Sequence, residues 1–190
     1  MKVNTQKFGL SGHMTIKERA FKYIINYFAM ADDIVKTQSC FQYKLWSEKH
    51  YTYLKSSDLY RITKLDLSYT DIKILPSEFG YLSTLEYLDI SGNNISYLDE
   101  CIWNLTNLKE LRIGSLIFGG NNIAVISKSI KNLKKLEVLI ISLNDKIIEL
   151  PKEILELKNL SLLIVTQEHI YHSDVVKKLM NEKNCTVMFE

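Results

Sequence analysis

From residue 62 onward, apolar residues return in one fixed frame, Leu-x-x-Leu-x-Leu-x-x-Asn-x-Leu, and a fixed period of this length dictates a stacked architecture before any local propensity is consulted. The first copy is Ile62, Leu65, Leu67, Thr70 and Ile72, followed by Leu75-Pro76, Phe79 and Leu82. The second refills every slot with Leu85, Leu88, Ile90, Asn93, Ile95, Leu98, Ile102 and Leu105. The third, Leu108, Leu111 and Ile113, carries five extra residues before Asn121, Ile123, Ile126, Ile130 and Leu133 restore the frame. Leu136, Leu139, Ile141, Asn144, Ile147, Leu150-Pro151, Ile154 and Leu157 make the fourth, and Leu160, Leu163 and Val165 a truncated fifth. Successive starts lie 23, 23, 28 and 24 residues apart.

In each copy the Leu-x-x-Leu-x-Leu run predicts a short strand whose leucines point inward, and the Asn after it a turn in which the amide satisfies backbone groups. One copy cannot bury its own apolar face. Stacked copies can, as a parallel sheet along one side and short helical turns, such as those after Pro76 and Pro151, along the other.

The frame resembles the leucine-rich-repeat family in its roughly 23-residue form, with Leu-Pro after the strand turn, as in Ras-pathway and scribble-type intracellular scaffold proteins. The resemblance covers about residues 62–167; Thr70 in place of Asn, and Asp99 and Ser127 in place of Pro, are departures. It implies an α/β right-handed solenoid, a short arc with the parallel sheet on its concave face. It also implies non-catalytic protein recognition.

The flanks read as caps, which an array needs at its exposed ends. Residues 1–61 are expected to form an N-terminal cap: Thr15-Ile-Lys-Glu18 is a capping-box pattern, and Ile16, Ala20, Ile24, Tyr27 or Phe28, and Ala31 follow at helical spacing. The aromatic-rich stretch from Phe41 to Tyr60 follows it. Residues 168–190 form a C-terminal cap, a helix entered at Ser173 and a strand at Cys185-Thr-Val-Met-Phe189.

Composition narrows the function. Twenty-four basic and 22 acidic residues leave a net charge of +2 with the lysines scattered, which argues against nucleic acid as a partner. No apolar run reaches the length of a signal peptide or membrane span, so the expected location is the cytoplasm and no membrane is expected as a partner. Cys40, Cys101 and Cys185 are three in number and widely spaced, giving neither a disulfide framework nor a zinc pattern.

The chain holds no convergent set of catalytic groups, and neither a cofactor nor a metal is expected. His169, His172 and Asp174 have ligand-like spacing but fall in a turn between repeats and cap, and Gly119-Gly120 lacks the lysine of a phosphate loop. The reading is therefore of a binding module. The alternative is a substrate-recruiting adaptor of a ubiquitin ligase, or a pathogen effector acting on host proteins, with residues 1–61 carrying a second activity.

The residues between the leucines point out of the sheet, so the binding face can be written down. Tyr69, Tyr87, Asp89 and Arg112 make a polar rim, whereas Val138, Ile140, Leu143, Leu162 and Ile164 make an apolar patch beside the Leu116-Ile117-Phe118 insertion. Such a patch, if it faces water, marks a protein interface or the contact of a symmetric homodimer. On that expectation Ile140→Asp or Ile164→Asp removes binding and leaves the thermal melt unchanged.

Overall fold

The computed structural model describes residues 61–75, 77–115 and 119–189. The helix expected at 15–31, the aromatic stretch before Arg61 and the Leu116-Ile117-Phe118 insertion lie outside these residues.

Among the described residues, six strands form one parallel sheet in chain order: β1 (Lys64–Asp66), β2 (Tyr87–Asp89), β3 (Glu110–Arg112), β4 (Val138–Ile140), β5 (Leu162–Val165) and β6 (Thr186–Phe189). Each pairs in register, so Leu65, Leu88, Leu111, Leu139, Leu163 and Val187 form one inward row. This is the α/β leucine-rich-repeat solenoid.

The inward leucines and isoleucines merge into one continuous core from Leu65 to Val187, with Phe79 and Trp103 its largest fully buried side chains. Side chains packed at this density stabilise by roughly 1.5–3 kcal/mol each, and neighbouring repeats share that gain.

Opposite the strands the chain turns through 3-10 helices at Ser77–Tyr81, Glu100–Asn104, Lys128–Asn132 and Lys152–Glu156. Here the departures from Leu-Pro find their reason. Asp99 and Ser127 stand where the fourth repeat has Pro151, and each caps its helix: the Asp99 carboxylate accepts from the Cys101 N–H at 2.9 Å and the Ser127 hydroxyl from the Ser129 N–H at 3.1 Å.

The asparagines lock one repeat to the next. Asn93 accepts from the Thr70 and Ile72 N–H groups at 2.9 and 3.0 Å, and donates to the carbonyls of Leu67 and Ile90 at 2.8 and 2.9 Å. Asn121 accepts from Ile95 and donates to Ile90 and Ile113, so it, rather than Asn122, fills the slot. Asn144 donates to Ile113 and Ile141 at 3.0 and 3.1 Å, but its bond from the Ile123 N–H is a long 3.4 Å. Thr70, in the Asn slot of the first repeat, donates its hydroxyl proton to the Leu67 carbonyl at 2.8 Å.

After β5 come α1 (Glu168–Tyr171) and α2 (Asp174–Lys183). Ser173 caps α2 by accepting from the Val176 N–H at 3.3 Å, and Asn184, in the left-handed region at φ 53°, ends it. The chain then returns as β6 beside β5, so the sheet runs one strand beyond the five repeats.

Candidate functional site

The sheet face turned away from the 3-10 helices carries two in-register columns of side chains, spaced by the strand separation of about 4.8 Å. One is Lys64, Tyr87, Glu110, Val138, Leu162 and Thr186; the other is Asp66, Asp89, Arg112, Ile140, Ile164 and Met188. Both change character between β3 and β4.

On β1 to β3 the face is a bonded polar network. Asp66 and Asp89 each accept from the N–H and hydroxyl of the serine two residues on, Ser68 and Ser91, at 2.6 to 2.9 Å. The Tyr87 hydroxyl donates to Asp89 at 3.2 Å. Arg112 donates to Glu110 at 2.6 Å, lies 3.9 Å from Asp89, and sets its guanidinium over the Tyr87 ring at 5.4 Å. Burial pushes the Asp89 carboxyl above its ordinary range despite the two bonds from Ser91, and burial together with the Asp89 charge pushes the Tyr87 phenol up.

Tyr69 reaches across this half. Its backbone is left-handed at φ 56°, and its ring lies where a Cβ on Gly92 would stand, with ring carbons 2.3 Å from that position. Its hydroxyl meets that of Ser115, two repeats away, at 2.5 Å. A glycine at 92 therefore serves twice, for its own φ of 63° and for the aromatic ring it admits.

On β4 to β6 the expected exposed patch is corrected. Ile140 and Ile164 are only 3% and 5% exposed, although neither belongs to the continuous core. In the sheet Ile164 stands between Ile140 and Met188, and Ile140 between Arg112 and Ile164, so each has a side chain on both sides in its column. Val138, Leu143 and Leu162 are half-buried, and Ser142 is buried. At Gly114 a Cβ would lie 2.1 Å from the Ser142 carbonyl oxygen, so the backbones of the third and fourth repeats close tightly there.

Among the described residues no three His, Cys, Asp or Glu groups converge in a way that could hold a metal, and no helix is long and apolar enough to cross a membrane. His169 and His172 are both exposed. Burial pushes the Cys101 thiol up to about 12 and that of Cys185 to about 11, so both are protonated, weak nucleophiles at neutral pH.

The face thus carries aromatic, charged and aliphatic side chains. Tyr87, Asp89 and Arg112 stand in these columns and contact one another, Asp89 being buried, whereas the Tyr69 hydroxyl is bonded to Ser115; the frame by itself records none of these contacts.

A leucine-rich-repeat family model matches residues 60–115. Among solved structures, a leucine-rich-repeat protein of Leptospira interrogans is 27% identical with a TM-score of 0.50, the match covering 73% of this chain. An internalin of Listeria monocytogenes is 23% identical with a TM-score of 0.49 over 70% of this chain. The matches span 40% and 43% of those two proteins, so each is much longer than the part it shares. No curated protein sequence matches the chain.

Proposed function

We infer, from a chain that folds as a leucine-rich-repeat solenoid, that it is a non-catalytic recognition module in the cytoplasm that binds another protein across the columned face of its sheet. The observation that carries this reading is the Tyr87–Arg112 pair, with Arg112 over the tyrosine ring and still partly exposed. Tyrosine and arginine supply most of the energy at protein interfaces when they sit at the centre of a contact. Here they stand in the middle of the polar half, between Tyr69 and the half-buried Val138 and Leu162. The near-zero net charge favours protein over nucleic acid.

The test is capture from extract with the full chain, followed by titration of the purified captured protein against wild type and against Tyr87→Ala/Arg112→Glu. The reading predicts affinity weakened roughly tenfold or more by the double variant. A control at the exposed Lys131, Lys131→Glu, should bind as wild type. Equal affinity for the double variant and wild type overturns the use of this face.

A further inference from the structure

We propose that the outer flank of repeats one to four is a self-association surface, on which a second copy of this chain docks about a two-fold axis lying between repeats two and three. Just before each inward-pointing Leu75, Leu98 and Ile126, the frame carries Ile74, Tyr97 and Val125, and Ile148 stands one residue further ahead of Leu150. These four apolar side chains are 56 to 77% exposed, whereas the same region of a solvated turn is ordinarily polar. Tyr97, Val125 and Ile148 line one groove with Pro151, its rim carrying Glu100, Lys128 and Glu149.

The order of this chemistry along the repeats selects the occupant. A two-fold axis between repeats two and three exchanges repeat one with four and two with three. It lays Ile74 on Ile148 of the second copy and Tyr97 on its Val125, so every apolar group meets another. Glu100 and Lys128 are the first residues of equivalent 3-10 helices in repeats two and three, and the same axis sets each against the other across the interface. Glu100 accepts from the Ser127 hydroxyl at 2.6 Å, and neither it nor Lys128 is in an ion pair within the described residues. The stripe is narrow against the roughly 800 Å² per partner of a stable interface, so the dimer is weak and reversible. It uses a surface separate from the columned face, and its failure leaves the recognition reading untouched.

Sedimentation velocity of the full chain from about 1 to about 200 µM tests it, since a narrow interface dissociates over such a range. The sedimentation coefficient should rise with concentration for wild type, and Val125→Asp, at an exposed position, should abolish the rise without lowering the melt. Glu100→Lys and Lys128→Glu should each weaken association roughly tenfold by facing like charges, and the double exchange should restore it. A wild type that stays monomeric throughout overturns the proposal. So does a dimer indifferent to the single charge changes, or one that both weaken and the double exchange fails to rescue.

Discussion

The two halves of the columned face solve the same packing problem in different ways. On β1 to β3 the outward positions are filled by carboxylates, serines, a tyrosine and an arginine that satisfy one another, and the network remains accessible through Tyr69, Tyr87 and Arg112. On β4 and β5 they are filled by isoleucine, valine and leucine, and the pair Ile140 and Ile164 is shielded from water. The frame that fixes the strands is indifferent to what occupies these positions, so one scaffold carries both a polar and an apolar surface.

The largest expected effect breaks the comparison at its sharpest point. Ile140→Asp places a carboxylate at a shielded position whose neighbouring cation, Arg112, is already bonded to Glu110, and should cost about 3–5 kcal/mol, whereas Arg112→Ala, one strand away in the same column and partly exposed, should cost about 1 kcal/mol or less. Chemical denaturation of both variants checks this. It replaces the sequence-based expectation that Ile140→Asp leaves the melt unchanged, and equal small losses would reinstate that expectation.

A second contrast lies beneath the two halves. Asn93 makes four backbone bonds of 3.0 Å or shorter, whereas of the four Asn144 makes only one is that short, the others lying at 3.1, 3.4 and 3.4 Å. Asn93→Ala should therefore cost about 3 kcal/mol and Asn144→Ala about 2, each through buried amides left unpaired. Comparable losses would mean that the lengths do not rank the bonds.

The smallest effect concerns pH. Burial raises the Asp89 carboxyl, so the folded chain holds that proton more tightly than the unfolded chain does. The destabilisation by ionised Asp89 is absent below the unfolded value and complete above the raised folded one, so its contribution worsens as pH rises between them. Asn at 89 can still accept both Ser91 bonds without a buried charge. Asp89→Asn should thus melt slightly higher than wild type at pH 7, with the gap closing towards pH 3; a gap that widens on acidification contradicts the sign.

The fold was legible in the sequence because the inward leucines must repeat for the core to be continuous, and Leu65, Leu88, Leu111, Leu139 and Leu163 do so at fixed offsets. The polar half was legible as positions, since alternation alone sends Tyr87, Asp89 and Arg112 outward. Its bonds were not, because Tyr69 reaches Ser115 only through the space left by Gly92, a relation between three repeats that no single frame records. The shielding of Ile140 and Ile164 was hidden for a related reason: alternation assigns a side chain to a face, but whether a position on that face meets water depends on tertiary neighbours that the frame does not record.

Hydroxyl-radical footprinting of the full chain, alone and with its captured partner, tests the division of this face most directly. The account predicts that Tyr69 and Tyr87 are modified readily in the free chain and protected by the partner, while Ile140 and Ile164 stay slow to react in both. Rapid modification of Ile140 and Ile164 in the free chain, with protection on binding there and none at Tyr87, would contradict it.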